Sequence, residues 1–251
     1  MIWVESVSPS FRARHDIREA DGADRLLHGL ERTRARLERT FSRVPRDITV
    51  VLHGSRLGLV FTNPLLPLAW ALTEPAGRRY VAGWVSASEL HVLGPSALES
   101  RASPVTGSRE MLALAPAALY ARRVIAANHP ALRAARPHRR VGIELSRAWL
   151  IEGGARWLAG QVDHVRPAIA RRLREETPLK FPPGVRDAAL LGQTVIDLLA
   201  RARGAQRAAD FVCDFAPAHP TASLLQAFEV HSLRQLERAW RNHLCGLAAA
   251  S

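Results

Sequence analysis

Between Pro104 and Gly107 the chain changes its periodicity, and this change limits its fold more than any other feature. Before it the chain runs in short segments: Trp3–Val7 and Phe11–His15, where apolar and polar residues alternate, Ile48–Leu52, a short apolar run that reads as a buried strand, and Tyr80–Val85 and Glu89–Leu93, two further strand-like runs. A spacing of two turns every apolar side chain of a strand to one face, so these runs predict strands. The same part holds one long helix over roughly 22–42. Asp21 or Asp24 caps it, Leu26, Leu27, Leu30, Leu37 and Phe41 form its apolar side, and Pro45 follows as a stop. A helical piece broken by Pro64 and Pro67 comes after the third strand. Beyond Gly107 the apolar spacing is helical at about 109–127, 145–160, 162–176, 186–203, 206–215, 221–228 and 232–246. Pro130, Pro137, Pro178, the Pro182-Pro183-Gly184 run and Pro217 separate these segments. The expected class is α+β: residues 1–108 supply an N-terminal helix and a small mixed sheet, residues 109–251 a helical part, in one compact unit. The stretch 129–143, rich in Pro, Arg and His, is expected to form a mobile loop.

Several function classes fall away on residue types alone. The apolar runs Leu65–Leu72 and Met111–Tyr120 are short and interrupted by proline, which argues against a membrane span. Met1–Ser10 has no basic stretch followed by an apolar one, so a cytoplasmic protein is expected. Cys213 and Cys245 have no Cys-x-x-Cys spacing and read as packing residues. In Gly54-Ser-Arg-Leu-Gly58 the serine stands one place too early for a nucleophile elbow. A helical zinc pair needs two histidines four apart, yet the closest pair, His129 and His138, is nine apart with Pro130 and Pro137 between them.

The net charge of +12 suits contact with a polyanion, although Lys180 is the single lysine among 35 basic residues. This charge supports an alternative reading as a nucleic-acid-binding protein. In it the helix pair 221–228 and 232–246 presents Arg234, Arg238 and Arg241 outward. Arginines scattered and paired with acids would count against it. His129, His138, Arg133, Arg136, Arg139 and Arg140 could form an anion-binding loop, but they carry no interleaved aromatics and read first as a solvated charge run.

One segment carries a resemblance. Trp149-Leu-Ile-Glu152-Gly-Gly-Ala155-Arg-Trp157-Leu158 resembles the "W-L-x-E-G-x-A-x-aromatic" helix of gluzincin metallopeptidases, the thermolysin- and aminopeptidase-like zincins. The N-terminal "S-x-x-F-x-x-x-H" from Ser8 to His15 is similar to the opening of small members of that family. The stretch from Leu224 to Arg241 is similar to their closing "A-F-G-x-S-x-x-E-L-E-x-x-W" element. The resemblance implies a zincin-like fold with Glu152 at the third zinc-ligand position. It also implies small residues, Gly153 and Ala155, that bring this helix against the metal helix. In the family's His-Glu-x-x-His stretch this chain has Leu119, Tyr120 and Arg123 at the first-ligand, general-base and second-ligand positions. A shift of one residue makes Arg122 the second-ligand equivalent. Either register leaves one ligand of three, so no metal and no cofactor are expected.

The expected protein is therefore a pseudopeptidase whose remnant cleft binds peptide or protein. Arg123 or Arg122 is expected to supply to Glu152 the positive charge that zinc would supply. The cleft is expected around Trp84, Glu89, His91, Tyr120 and Trp149, with peptide lying along the strand edge near Trp84–Leu93. Tyr120 could donate a hydrogen bond there, although His91 and Trp149 also read as ordinary half-buried and core residues.

Overall fold

The computed structural model describes residues 2–86, 88–215 and 220–249, with no side-chain description for 137–141. Strands β1 (Trp3–Val7) and β2 (Phe11–Asp16) form an antiparallel hairpin, and α1 (Ala20–Glu38) leads to β3 (Ile48–His53), which lies parallel to β2. Three helices follow: α2 (Arg56–Thr62), α3 (Leu66–Leu72) and α4 (Pro75–Arg78). Then come β4 (Gly83–Val85) and β5 (Glu89–Leu93), giving a mixed five-stranded sheet ordered β1-β2-β3-β5-β4. β4 runs antiparallel to β5 and forms one edge of the sheet.

Helices occupy the rest of the chain: α5 (Pro95–Arg101), α6 (Ser108–Ala113), α7 (Ala115–Asn128), α8 (Pro130–Ala134), α9 (Pro137–Ser146), α10 (Ala148–Leu158) and α11 (Arg166–Leu173). The last four are α12 (Ala188–Arg203), α13 (Ala205–Asp214), α14 (Pro220–Phe228) and α15 (Leu233–Ala249). The α+β class stands. No helix among the described residues is long and apolar enough to cross a membrane.

Strand alternation decides which sheet face is covered. Phe11, Ala13, Val50, Leu90 and Val92 share one face through the observed registers, are buried, and pack beneath α1 and α7. Thr49, Val51, His53, Glu89 and His91 share the other face, which α2 partly covers. α7 follows from its composition: Ala115, Ala117, Ala118 and Ala121 thin it enough to lie against both the sheet and α10. Behind α10 the contact with α12 is closer still. A Cβ on Gly153 would meet the Gly192 carbonyl carbon at 2.2 Å, and a Cβ on Gly154 would meet Val212 of α13 at 2.7 Å. The small residue Gly153 thus admits α12 rather than α7, a correction to the packing role expected for it.

Three other expectations change. Residues 129–143 are mostly helical, in α8 and α9, because Pro130 and Pro137 occupy first-turn positions where a missing N–H costs nothing. The long helix ends at Glu38, ahead of Pro45, and Tyr80–Val85 contributes a strand only from Gly83. Pro217 lies outside the described residues.

Candidate functional site: a cavity between the sheet edge and two helices

A cavity of about 510 Å³ opens where the edge strand β4 faces α7 and α10, with α3 and α9 closing its sides. Its position follows from the sheet order. Among the described residues β4 pairs on one side only, and the register of Gly83 opposite Val92 and Val85 opposite Leu90 turns their N–H and C=O groups away from β5. Gly83 is required there, since a Cβ would lie 2.3 Å from the His91 carbonyl oxygen and 2.7 Å from Leu119 Cδ1. The strand can therefore lie against α7 only with hydrogen in place of a side chain.

The helical wall is built on α7. Ala118, Leu119 and Arg122 line the cavity, while Tyr120 points the other way. Tyr120 is fully buried, donates its hydroxyl to the Pro45 carbonyl at 2.8 Å, and stands edge-on to Phe11 at 4.9 Å. Burial pushes its pKa well above the usual phenol range, so it is a neutral core residue rather than a cleft donor.

At the polar floor, Arg122 Nη1 lies 2.6 Å from Glu152 Oε1, and Arg122 Nη2 lies 2.6 Å from Glu144 Oε2. One guanidinium thus bridges a carboxylate on α10 and another on α9. Burial works against the charge on Arg122, but Glu152 and Glu144 outweigh it and hold the guanidinium pKa above its ordinary value. Arg123, the other expected partner, does not line the cavity, although it makes contacts of its own. Further along α10, Arg156 also faces the cavity, hydrogen-bonded to the Tyr80 carbonyl at 3.0 Å and to Gln161 Oε1 at 2.9 Å.

Apolar residues surround this floor. Leu65, Leu68, Leu72, Leu145 and Val185 all border the cavity and are all exposed. Neither Arg156 nor Glu144 was found by sequence reasoning. A cation one turn beyond Glu152 in an otherwise apolar helix is a signal for the first; nothing local marks the second.

The remaining expected cleft residues are dispersed by their faces. Trp84 borders the cavity, but its indole stacks on the His91 ring at 4.2 Å with the planes 2° apart. His91 and Glu89 lie on the sheet face away from α7 and do not reach the cavity. They form a separate chain there: His91 Nε2 contacts Glu89 Oε2 at 3.1 Å, and His91 Nδ1 contacts His53 Nε2 at 3.1 Å. Burial, aided by the neighbouring His91, lowers the His53 pKa to about 4. Trp149 belongs to the core, edge-on to Phe215 at 5.9 Å.

The expected anion-binding loop is not assembled as such. His129 is buried and accepts from Arg147 Nη1 at 3.1 Å, while Arg133 and Arg136 are exposed. The side chains of His138, Arg139 and Arg140 lie outside the described residues.

Zinc coordination is poorly served at this floor. The donors around Glu152 are a second carboxylate and a permanent cation, and the described residues contain no group of three or more His, Cys, Asp or Glu placed to hold a metal ion. The residues do not fit the metal. The chain matches no family model, no curated protein and no solved structure.

Proposed function

We propose that this chain is a non-catalytic, zincin-like protein that binds an extended apolar peptide along the free edge of β4. The observation that carries this reading is the pairing of an open strand edge with a cavity whose mouth is apolar and whose floor holds the Arg122–Glu152 ion pair. A peptide added to such an edge would gain main-chain hydrogen bonds from Gly83 and Val85 and bury its side chains against Leu65, Leu68, Leu72 and Leu145.

The resemblance to gluzincins is supported by the relative placement of three elements. An antiparallel edge strand, α7 and the Glu152 helix α10 surround one cavity. The cavity-facing triplet Ala118, Leu119 and Arg122 favours the register in which Arg122 stands at the second-ligand position, Leu119 at the general-base position and Ala118 at the first. Arg122 then occupies the place of the cation, held by the surviving carboxylate. None of the three can ligate zinc or activate water, so peptide would be bound and left intact.

The nucleic-acid reading has less support. Arginines from Arg12 to Arg241 are spread over the molecule in ion pairs, and α15 turns Leu236, Trp240 and Leu244 into the core, with Arg241 paired to Glu237 at 2.8 Å.

The test is amide hydrogen exchange with the C-terminally amidated peptide acetyl-Val-Leu-Val-Leu. Slowed exchange of the Gly83 and Val85 amides on titration, with the peptide recovered whole, supports the proposal. Unchanged exchange at saturating peptide contradicts it.

A further inference from the structure

We infer that the cavity reads the C-terminal carboxylate of its peptide through Arg156; this rests on the peptide-binding reading above. Arg156 is only 6% exposed, yet it faces the cavity. Its guanidinium is fixed by neutral acceptors alone: Tyr80 O takes Nη2 and Gln161 Oε1 takes Nη1. Gln161 is itself held by donating to the Met111 carbonyl at 2.6 Å, so the arrangement is rigid. Among the described residues no carboxylate lies within ion-pairing distance of Arg156, and its buried Nε has no hydrogen-bond partner. The buried Arg172 shows the contrast, gripped at both ends by Asp187 at 2.7 and 2.9 Å.

Glu152, one helical turn before Arg156, attracts it but is already engaged by Arg122. Burial of a guanidinium without a carboxylate paired to it is unfavourable, and an incoming carboxylate with an apolar body would offset that cost where the lining is apolar.

Direction along the strand selects the terminus. Antiparallel addition to β4, the more stable pairing per residue, runs the peptide from the Val85 end toward the Gly83 end. Three residues before Gly83 stands Tyr80, whose carbonyl holds Arg156. The peptide's C-terminus would therefore arrive beside that guanidinium.

Calorimetric titration of three peptides tests this: acetyl-Val-Leu-Val-Leu as the free acid, the same sequence as its C-terminal amide, and acetyl-Val-Asp-Val-Leu amide. The free acid is expected to bind about tenfold or more tightly than its amide, the gain of a charge-assisted hydrogen bond. Arg156→Gln should bring that ratio close to one, and Arg156→Lys should retain part of it. Should Arg156→Gln fail to fold, the acid-to-amide ratio on the wild-type protein decides alone. Equal binding of acid and amide overturns the role of Arg156 and leaves the peptide-binding reading standing. An aspartyl amide that binds as well as the free acid overturns the assignment to the terminus. Binding by none of the three overturns both readings.

Discussion

Arg122 Nη1 lies 2.6 Å from Glu152 Oε1, and the same guanidinium reaches Glu144, so a side chain of α7 ties α9 to α10 across the cavity floor. Removing the arginine by Arg122→Met would take away the cation that both carboxylates share. Breaking a fully buried pair costs about 3–5 kcal/mol. These groups keep 22–29% side-chain exposure, and solvent screening lowers the expected loss to about 1–3 kcal/mol. Adding Glu144→Gln and Glu152→Gln to Arg122→Met should recover most of it. The urea midpoint at constant m-value reads both effects; a single variant as stable as wild type would remove the bridge from the account.

The α10–α12 contact predicts an inversion of helix propensity. Alanine normally favours a helix over glycine by about 1 kcal/mol, and Gly29→Ala in α1, where a Cβ meets nothing within 4 Å, should stabilise by up to about that amount. Gly153→Ala should do the opposite, by about 2 kcal/mol or more, because its methyl would meet the Gly192 backbone at 2.2 Å. Thermal melts of the two variants, moving in opposite directions, check the packing.

His53 gives the fold a pH dependence of definite sign. Burial holds its folded-state pKa at about 4, against 6.5 for the free side chain, so the unfolded chain binds the proton more readily between those values. Stability is then fully present above pH 6.5 and is lost as the pH falls toward 4, by at most about 3 kcal/mol. His129, whose pKa burial also lowers, adds to the same slope. Urea midpoints at several pH values should show a shallower acid loss in His53→Gln than in wild type; identical slopes would contradict the assignment.

The cavity-facing register makes a prediction about gain of metal. Ala118→His, Leu119→Glu and Arg122→His together place two imidazoles and a carboxylate in the cavity beside Glu152, and this variant is expected to take up zinc. The register one residue later, Leu119→His, Tyr120→Glu and Arg123→His, drives a carboxylate into the core where Tyr120 packs on Phe11, and is expected to destabilise without binding zinc. Zinc content after dialysis, read beside the melting temperature, distinguishes the two.

The strand at Phe11–His15 was legible because its alternation is a direct imprint of burial on one face, and Ile48–Leu52 because it is a short apolar run between Pro45 and Gly54. Alternation does not say which helix covers that face, so Glu89 and His91 were expected at a cleft that lies on the opposite side of the sheet. Helical segments were legible from their apolar spacing, but prolines mark helix beginnings as well as ends; Pro130 and Pro137 open α8 and α9. Glu152 and its arginine were legible as a pair with the partner open between Arg122 and Arg123. A one-residue step on a helix rotates a side chain by about 100°, and only the packing of α7 against the sheet settles which arginine faces the cavity. Glu144 and Arg156 enter the site from tertiary placement.

The most direct test of the central claim, a peptide cleft with Arg122 where a metal would sit, is mass spectrometry of acetyl-Val-Leu-Val-Leu amide incubated at saturation with the purified protein, with and without added zinc. The account predicts that the bound peptide is recovered intact under both conditions. Cleavage of the peptide that a chelator abolishes and zinc restores would contradict it.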